Sequence, residues 1–262
     1  MQNFDGLIVD LDGVVWIGDE PIPGAVEAVA ELSARGVRLL FLTNDPRSSR
    51  KECAQRLRAL GVDVNEHEIV TSGSALASLI VAREGEDTSV FAVGSPALKA
   101  ELSAAGLDVR EGEAGREATV VAVGGHDQFH FDELRIATQA LRRGGRLYGA
   151  GRDAVFPMPD GPWPATGAIL AAVEVAGGTT ATVVGKPEPF IFDIACSLLT
   201  GCRSVAIVGD HLAADIDGGK RAGLTTILVL TGTTTRDELA AASIVPDVVV
   251  ADLAALAAPR AN

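Results

Sequence analysis

Gly6-Leu7-Ile8-Val9-Asp10-Leu11-Asp12-Gly13 decides how the rest of the chain is read: a short apolar run that ends in two aspartates and a glycine. An apolar run of this length bounded by turn residues reads as a buried strand, here Gly6 to Asp10. In a parallel sheet the carboxyl ends of the strands are where ligands bind, and Asp10 and Asp12 stand at such an end. Aspartates at i and i+2 face one side while the chain stays extended, and Gly13 lets it turn away. Asp-Gly is equally ordinary turn chemistry, so this segment alone leaves both readings open.

Outward from it, a helix from Pro23 through Ala25 to Arg35 stops at Gly36 and is followed by an apolar strand, Val37 to Thr43. A helix of about Ser48 to Leu60 stops at Gly61. A similar series returns late in the chain: Thr182 to Val184, a helix from Glu188, Ser204 to Val208, a helix to Ala222, Thr225 to Leu230, and Val248 to Val250. Between the two series lies a segment with its own strands (Ser89 to Val93, Thr119 to Val123, Arg146 to Tyr148). Its helices start at Ser95-Pro96 and at about Asp132. Phe156 to Pro164, rich in proline and glycine, reads as an ordered loop of that segment. The expected fold class is therefore α/β, a doubly wound parallel-sheet core with an inserted second α/β domain. Residues 1–79 and 182–262 form the core and 80–181 the insert.

The 262 residues are 47% hydrophobic and 22% charged, which is core-forming rather than disordered. Lys and Arg number 22 against 35 Asp and Glu, giving a net charge of -13 that disfavours nucleic acid and anionic membrane as partners. The apolar runs are far short of the roughly 20 residues that cross a bilayer. Met1 to Asp12 lacks the basic start of a secretory signal, so a cytoplasmic location is expected. Cys53, Cys196 and Cys202 have no metal-site or disulfide spacing and read as small, partly buried thiols.

Three further strand ends carry chemistry. Leu39 to Leu42 ends in Thr43-Asn44, donors suited to phosphoryl oxygens, or alternatively a cap for the next helix. Gly185-Lys186-Pro187-Glu188-Pro189 sets a lysine directly before a proline-started helix. Val208-Gly209-Asp210 ends a strand in an acid, and Asp215 follows in the first turn of a helix. Asp10, Asp12, Asp210 and Asp215 brought to one place repel unless something positive holds them. One lysine and a hard divalent cation with oxygen ligands answer that need, and Mg²⁺, which also takes phosphate oxygens, fits best.

With these four segments in this order, the chain resembles the haloacid dehalogenase superfamily of phosphohydrolases. The motifs stand as Asp10-Leu11-Asp12-Gly13, Thr43-Asn44, Gly185-Lys186-Pro187 and Gly209-Asp210 with Asp215. The large insert between the second and third motifs, with Ala222-Gly223 and Leu230-Thr231-Gly232, is similar to the NagD-like or para-nitrophenyl phosphatase group. That resemblance implies Mg²⁺-dependent hydrolysis of a small phosphate monoester, a sugar or polyol phosphate or a nucleoside monophosphate first. Phosphoglycolate and pyridoxal phosphate follow. Asp10 would be the nucleophile, forming an aspartyl-phosphate, and Asp12 the general acid and base. The metal would sit on Asp10, the main-chain carbonyl of Asp12 and Asp210, with Asp215 orienting metal waters or Lys186 from behind. Thr43, the Asn44 amide and Lys186 would hold the phosphoryl group. Asp12 sides with phosphoryl transfer, since dehalogenase members lack a carboxylate there. The group often dimerises through the insert, though no apolar stripe in this sequence speaks for a homodimer.

Two departures stand out. Relatives often continue Thr-Asn with Asn or Ser, whereas Asp45 follows here and adds negative charge near the phosphate site or caps the next helix. Where relatives often show Ala-Thr-Asn-x-Asp, this chain has Gly149-Ala150-Gly151-Arg152-Asp153, leaving Arg152 and Asp153 as candidate substrate contacts of the insert. His126 and His130 have the i, i+4 spacing of a metal pair only if their segment is helical; a loop entering a helix is the alternative. His211 lies beside the fourth motif with no required role. Trp16 and Trp163 read as a flap over the site, an insert contact, or packing. The same motifs would serve a phosphotransferase or mutase, or a binding protein that has lost turnover.

Overall fold

A computed structural model describes residues 4–126, 128–158 and 161–258. The chain divides into two compact units: one comprises the residues up to Thr43, Arg50–Val70 and Lys186 onward, the other Asn44–Ser49 and Thr71–Gly185. The second unit thus begins at Thr71 rather than Ile80, ends at Gly185 rather than Ala181, and includes a short piece of chain just after Thr43.

The first unit is built on a six-stranded sheet in the order Val248–Val250, Thr225–Val229, Val205–Gly209, Gly6–Asp10, Arg38–Thr43 and Ile69–Thr71. Gly6–Asp10 lies at its centre, parallel to both neighbours, with Val9 level with Val208 and Asp10 level with Leu42. All five of its residues are buried, as a parallel strand covered on both faces requires. Leu7, Val9, Phe41, Val208 and Ile227 belong to one core with Val29 and Leu32 of helix Ala25–Ala34 and Leu57 of helix Arg50–Ala59. Each such side chain contributes about 1.5–3 kcal/mol by leaving water. By the alternation of a strand, Asp10 shares the opposite face with Ile8.

The second unit has a five-stranded parallel sheet, in the order Thr182–Val183, Arg146–Gly149, Val120–Val123, Ser89–Val93 and Asp108–Arg110. Thr182–Val183, read from the sequence as part of the core series, belongs to this sheet, level with Tyr148 and Gly149. The expected loop Phe156 to Pro164 is a β-hairpin instead. Val155–Met158 pairs with Gly161–Pro164, Phe156 opposite Trp163, while residues 159 and 160 lie outside the described residues. At the carboxyl ends of Ser89–Val93 and Val120–Val123 the chain is tightly closed. Ser95 Oγ donates to the Pro46 carbonyl at 3.1 Å, and a Cβ at Gly125 would stand 2.6 Å from Arg47 Cγ and 3.0 Å from Pro46 Cγ. No helix among the described residues is long and apolar enough to cross a membrane.

Candidate active site

Parallel register sets the first unit's polar residues at one end of its sheet. Asp10 closes the central strand, Thr43 closes Arg38–Thr43 one position past Asp10's partner Leu42, and Gly209 closes the strand on the other side. Asp210 follows immediately. After His211 the chain makes a wide helical turn, Leu212–Asp217, whose start the His211 ring caps by accepting the Ala214 N–H at 3.2 Å. That turn delivers Asp215, fully buried, with its Oδ2 accepting the His211 N–H at 3.0 Å.

The Lys186 ammonium joins two of these acids. It stands 2.8 Å from Asp10 Oδ1 and 2.6 Å from Asp215 Oδ1, and the three residues are 4%, 6% and 0% exposed. Burial works against the lysine's charge, but the two carboxylates outweigh it and hold the ammonium firmly protonated. Burial pushes the Asp10 carboxyl well above the usual carboxylate range, with Asp215 and Asp210 adding to the effect and Lys186 opposing it. Asp210 is also raised, by burial and then by Asp215, against the Thr233 hydrogen bonds that favour its ionised form.

Carboxylate oxygens of Asp10, Asp210 and Asp215 lie within 4.8 Å of one another, all buried. Three buried acids and one buried lysine leave an excess of negative charge where little of it is exposed to solvent, which a hard cation with oxygen ligands relieves. The donor set therefore fits a divalent ion such as Mg²⁺. Asp215 stands within this group as well as 2.6 Å from Lys186.

Asp210 is gripped by the loop after strand Thr225–Val229, a feature the sequence reading passed over. The Thr233 N–H donates to Asp210 Oδ2, the Thr234 N–H to its carbonyl at 3.1 Å, and the Thr231 hydroxyl to the Gly13 carbonyl at 2.6 Å. The loop comes so close that a Cβ at Gly232 would stand 2.0 Å from Asp210 Oδ2. The signal was Thr231-Gly232-Thr233-Thr234, small polar residues directly after a buried strand, of which the sequence reading used Leu230-Thr231-Gly232 for the family resemblance alone.

Asp12 is exposed, unlike Asp10. Its Oδ1 accepts the Trp16 indole N–H at 3.0 Å and its Oδ2 the Thr43 hydroxyl at 3.3 Å. Trp16, at 3% exposure, packs in the first unit's core and also puts its indole N–H on Asp12.

The remaining candidates fall in the second unit. Asn44 Nδ2 donates to Asp153 Oδ2 at 3.4 Å, and the Asn44 carbonyl accepts from Ser72 Oγ at 2.7 Å. Asp45 caps its own turn. Its Oδ1 accepts the Arg47 backbone N–H and Nε at 2.9 Å, its Oδ2 the Arg47 Nη2 at 2.8 Å, and the guanidinium lies 4.3 Å over the Phe156 ring. The extra charge of Asp45 is thereby matched within its own loop. Arg152 pairs with Glu174 at 2.8 Å. His126 Nε2 sits 2.9 Å from Glu133 Oε1, and His130 precedes helix Phe131–Arg142, so the two histidines do not share a helix face. Asp127 between them lies outside the described residues.

Residues 7–108 match the family model described as haloacid dehalogenase-like hydrolase, and residues 183–256 a second, HAD-hydrolase-like model. An acid sugar phosphatase of Staphylococcus haemolyticus is 36% identical over 240 residues, 91% of this chain and 90% of that protein. The p-nitrophenyl phosphatase from Archaeoglobus fulgidus superposes with a TM-score of 0.90 at 34% identity, covering 98% of this chain and 99% of that one. A glycerol phosphate phosphatase from Mycobacterium tuberculosis, solved in complex with magnesium, gives 0.87 at 32% identity, covering 97% of this chain and 76% of that one. With the carboxylate and lysine geometry at the strand ends, these likenesses make the chain a member of the haloacid dehalogenase-like hydrolases, and a phosphatase among them.

Proposed function

We propose that this phosphatase hydrolyses small phosphate monoesters with Mg²⁺, sugar or polyol phosphates ahead of nucleoside monophosphates, by way of a phosphoryl group carried on Asp10. The observation that carries the reading is the buried Asp10 carboxylate at the central strand end, 2.8 Å from Lys186 and grouped with Asp210 and Asp215. An acid in that position is a nucleophile kept from water and aimed out of the sheet. The names of the relatives, acid sugar phosphatase and glycerol phosphate phosphatase, support the substrate class.

In the first step an Asp10 oxygen bonds to phosphorus as the bond to the ester oxygen breaks, and Asp12 gives its proton to the departing alkoxide. In the second, water attacks the phosphorus of the aspartyl-phosphate and passes a proton back to Asp12. Inorganic phosphate leaves and Asp10 is restored. Thr43, the Asn44 amide and Lys186 hold the phosphoryl oxygens, and Lys186 offsets the charge between Asp10 and phosphate. Asp10, the carbonyl of Asp12 and Asp210 would hold Mg²⁺, which when bound neutralises charge on the transferring phosphoryl group. Asp215 orients Lys186 through their 2.6 Å contact. In the same reading Thr71–Gly185 is the domain that selects the leaving group, and Arg152 and Asp153 are its candidate contacts.

Phosphate release from a panel of small esters, with Mg²⁺ and with chelator, tests this directly. The native chain should release phosphate only with the metal, and Asp10→Asn should lower turnover by about 10⁴-fold or more. Turnover surviving in that variant, or silence of the folded native protein across the panel, overturns the reading.

A further inference from the structure

The chain between Asp12 and Trp16 is wound on itself. The Leu11 carbonyl faces the N–H groups of Val14, Val15 and Trp16 at 3.3, 2.8 and 3.2 Å, and the Gly13 N–H donates back to the Trp16 carbonyl at 2.7 Å. Trp16–Ile17 then pairs with Glu20–Pro21 in a short hairpin. On the other side, the Arg56 guanidinium lies 3.9 Å over the Trp16 ring and donates to the Gly18 carbonyl. Backbone turn, hairpin and stacked cation together fix a buried indole next to an exposed acid.

An indole N–H donates and never accepts, and when buried it takes an acceptor. Here the acceptor is Asp12 Oδ1 at 3.0 Å. A donor that cannot turn into an acceptor keeps the proton off Oδ1 and fixes the carboxyl plane, so the acid's proton belongs on Oδ2, whose other contact is the Thr43 hydroxyl at 3.3 Å, a group that can either donate or accept. We propose that Trp16 is a positioning residue for Asp12: its indole N–H occupies Oδ1, so that the proton given to the leaving group is delivered from Oδ2. The inference rests on the reading of Asp12 as general acid and goes beyond it by naming the group that aims the acid.

The test separates esters by how much they need that proton. Glycerol phosphate must expel an alkoxide, whereas p-nitrophenyl phosphate expels a phenolate that leaves as its anion. In the Mg²⁺-loaded enzyme, kcat/KM reports the first step for both. Trp16→Phe keeps the ring under Arg56 and removes only the donor. It should lose about 10–100-fold on glycerol phosphate, and no more than about threefold on p-nitrophenyl phosphate. Asp12→Asn is the reference and should show the same selectivity, more strongly. Equal losses on both esters in Trp16→Phe, with Asp12→Asn selective, overturn the role of Trp16 and leave the acid in place. An unselective Asp12→Asn overturns the acid itself.

A second measurement does not depend on the folding of Trp16→Phe. Two indole N–H resonances are expected in nitrogen-15-labelled protein, from Trp16 and Trp163, and Trp163→Phe assigns them. Asp12→Asn should move the Trp16 resonance and leave the other; an unmoved Trp16 signal overturns the contact on which the proposal stands.

Discussion

The two sheets follow one plan and end differently. In each, the chain leaves one strand in opposite directions, which opens a crevice at the carboxyl ends of a neighbouring pair. In the first sheet the pair is Gly6–Asp10 and Val205–Gly209, and the crevice is lined by Asp10 and Asp210. In the second it is Ser89–Val93 and Val120–Val123, and that end is plugged by the unit's own Pro46 and Arg47, against Ser95 and Gly125. Buried charge differs in the same sense. The second unit's Glu84, its side chain 4% exposed, is bound by Tyr148 and Arg146, whereas the first gathers three acids around one lysine. Topology supplies a crevice in both; side-chain chemistry, and whether the chain fills the space itself, decide which one is a site.

Substitutions at the two ends should break this contrast in opposite ways. Gly232→Ala drives a methyl group into Asp210 and should weaken Mg²⁺ binding about 10–100-fold by calorimetry, with little change in the second unit's stability. Unchanged affinity would mean that Asp210 does not hold the ion. Gly125→Ala overfills the plugged end and should cost about 1–3 kcal/mol in urea unfolding while leaving Mg²⁺ affinity intact.

Tyr148, the chain's one tyrosine, is pushed up to about 12 by burial and its hydrogen bond to Glu84. Its native state keeps the proton that the unfolded chain loses near pH 10. The stabilisation is therefore whole below about pH 10 and lost as the pH rises toward 12. Tyrosinate absorbance rising near pH 10 in the folded protein would refute the buried contact. The smallest effect belongs to Asp45→Asn, which loosens a partly exposed pair with Arg47 and should change stability by less than about 1 kcal/mol. A larger loss would show that this loop is the main plug.

The strand-and-glycine punctuation made the α/β class and most of the first sheet legible in the sequence. Asp10, Thr43, Lys186 and Asp210 were legible because each follows or precedes a run whose end is unmistakable. Ile69–Thr71 was missed because three residues carry no period, and they pass without a break into a helix, Ser72–Glu84, buried nearly all round. Thr182–Val183 was seen as a strand and placed in the wrong sheet, since a short strand says nothing of its partner. The hairpin Val155–Pro164 was hidden by prolines, which edge strands tolerate. Trp16 on Asp12 was beyond reach for another reason: it depends on the turn at Leu11, and four residues of spacing on a non-helical path have no fixed geometry.

The central strand also sets the order in which the molecule is made. Gly6 is level with Val205, so the strand that bears Asp10 waits for a neighbour roughly 200 residues further along the chain. At about 5–20 residues per second of synthesis, that interval is on the order of 10–40 seconds. The five strands of the second sheet all fall within Ser89–Val183 and emerge inside it. The second unit can therefore be finished on the ribosome while the strand that bears Asp10 is still half paired, an unclosed edge that chaperones or the chain itself must shield until Val205–Gly209 arrives.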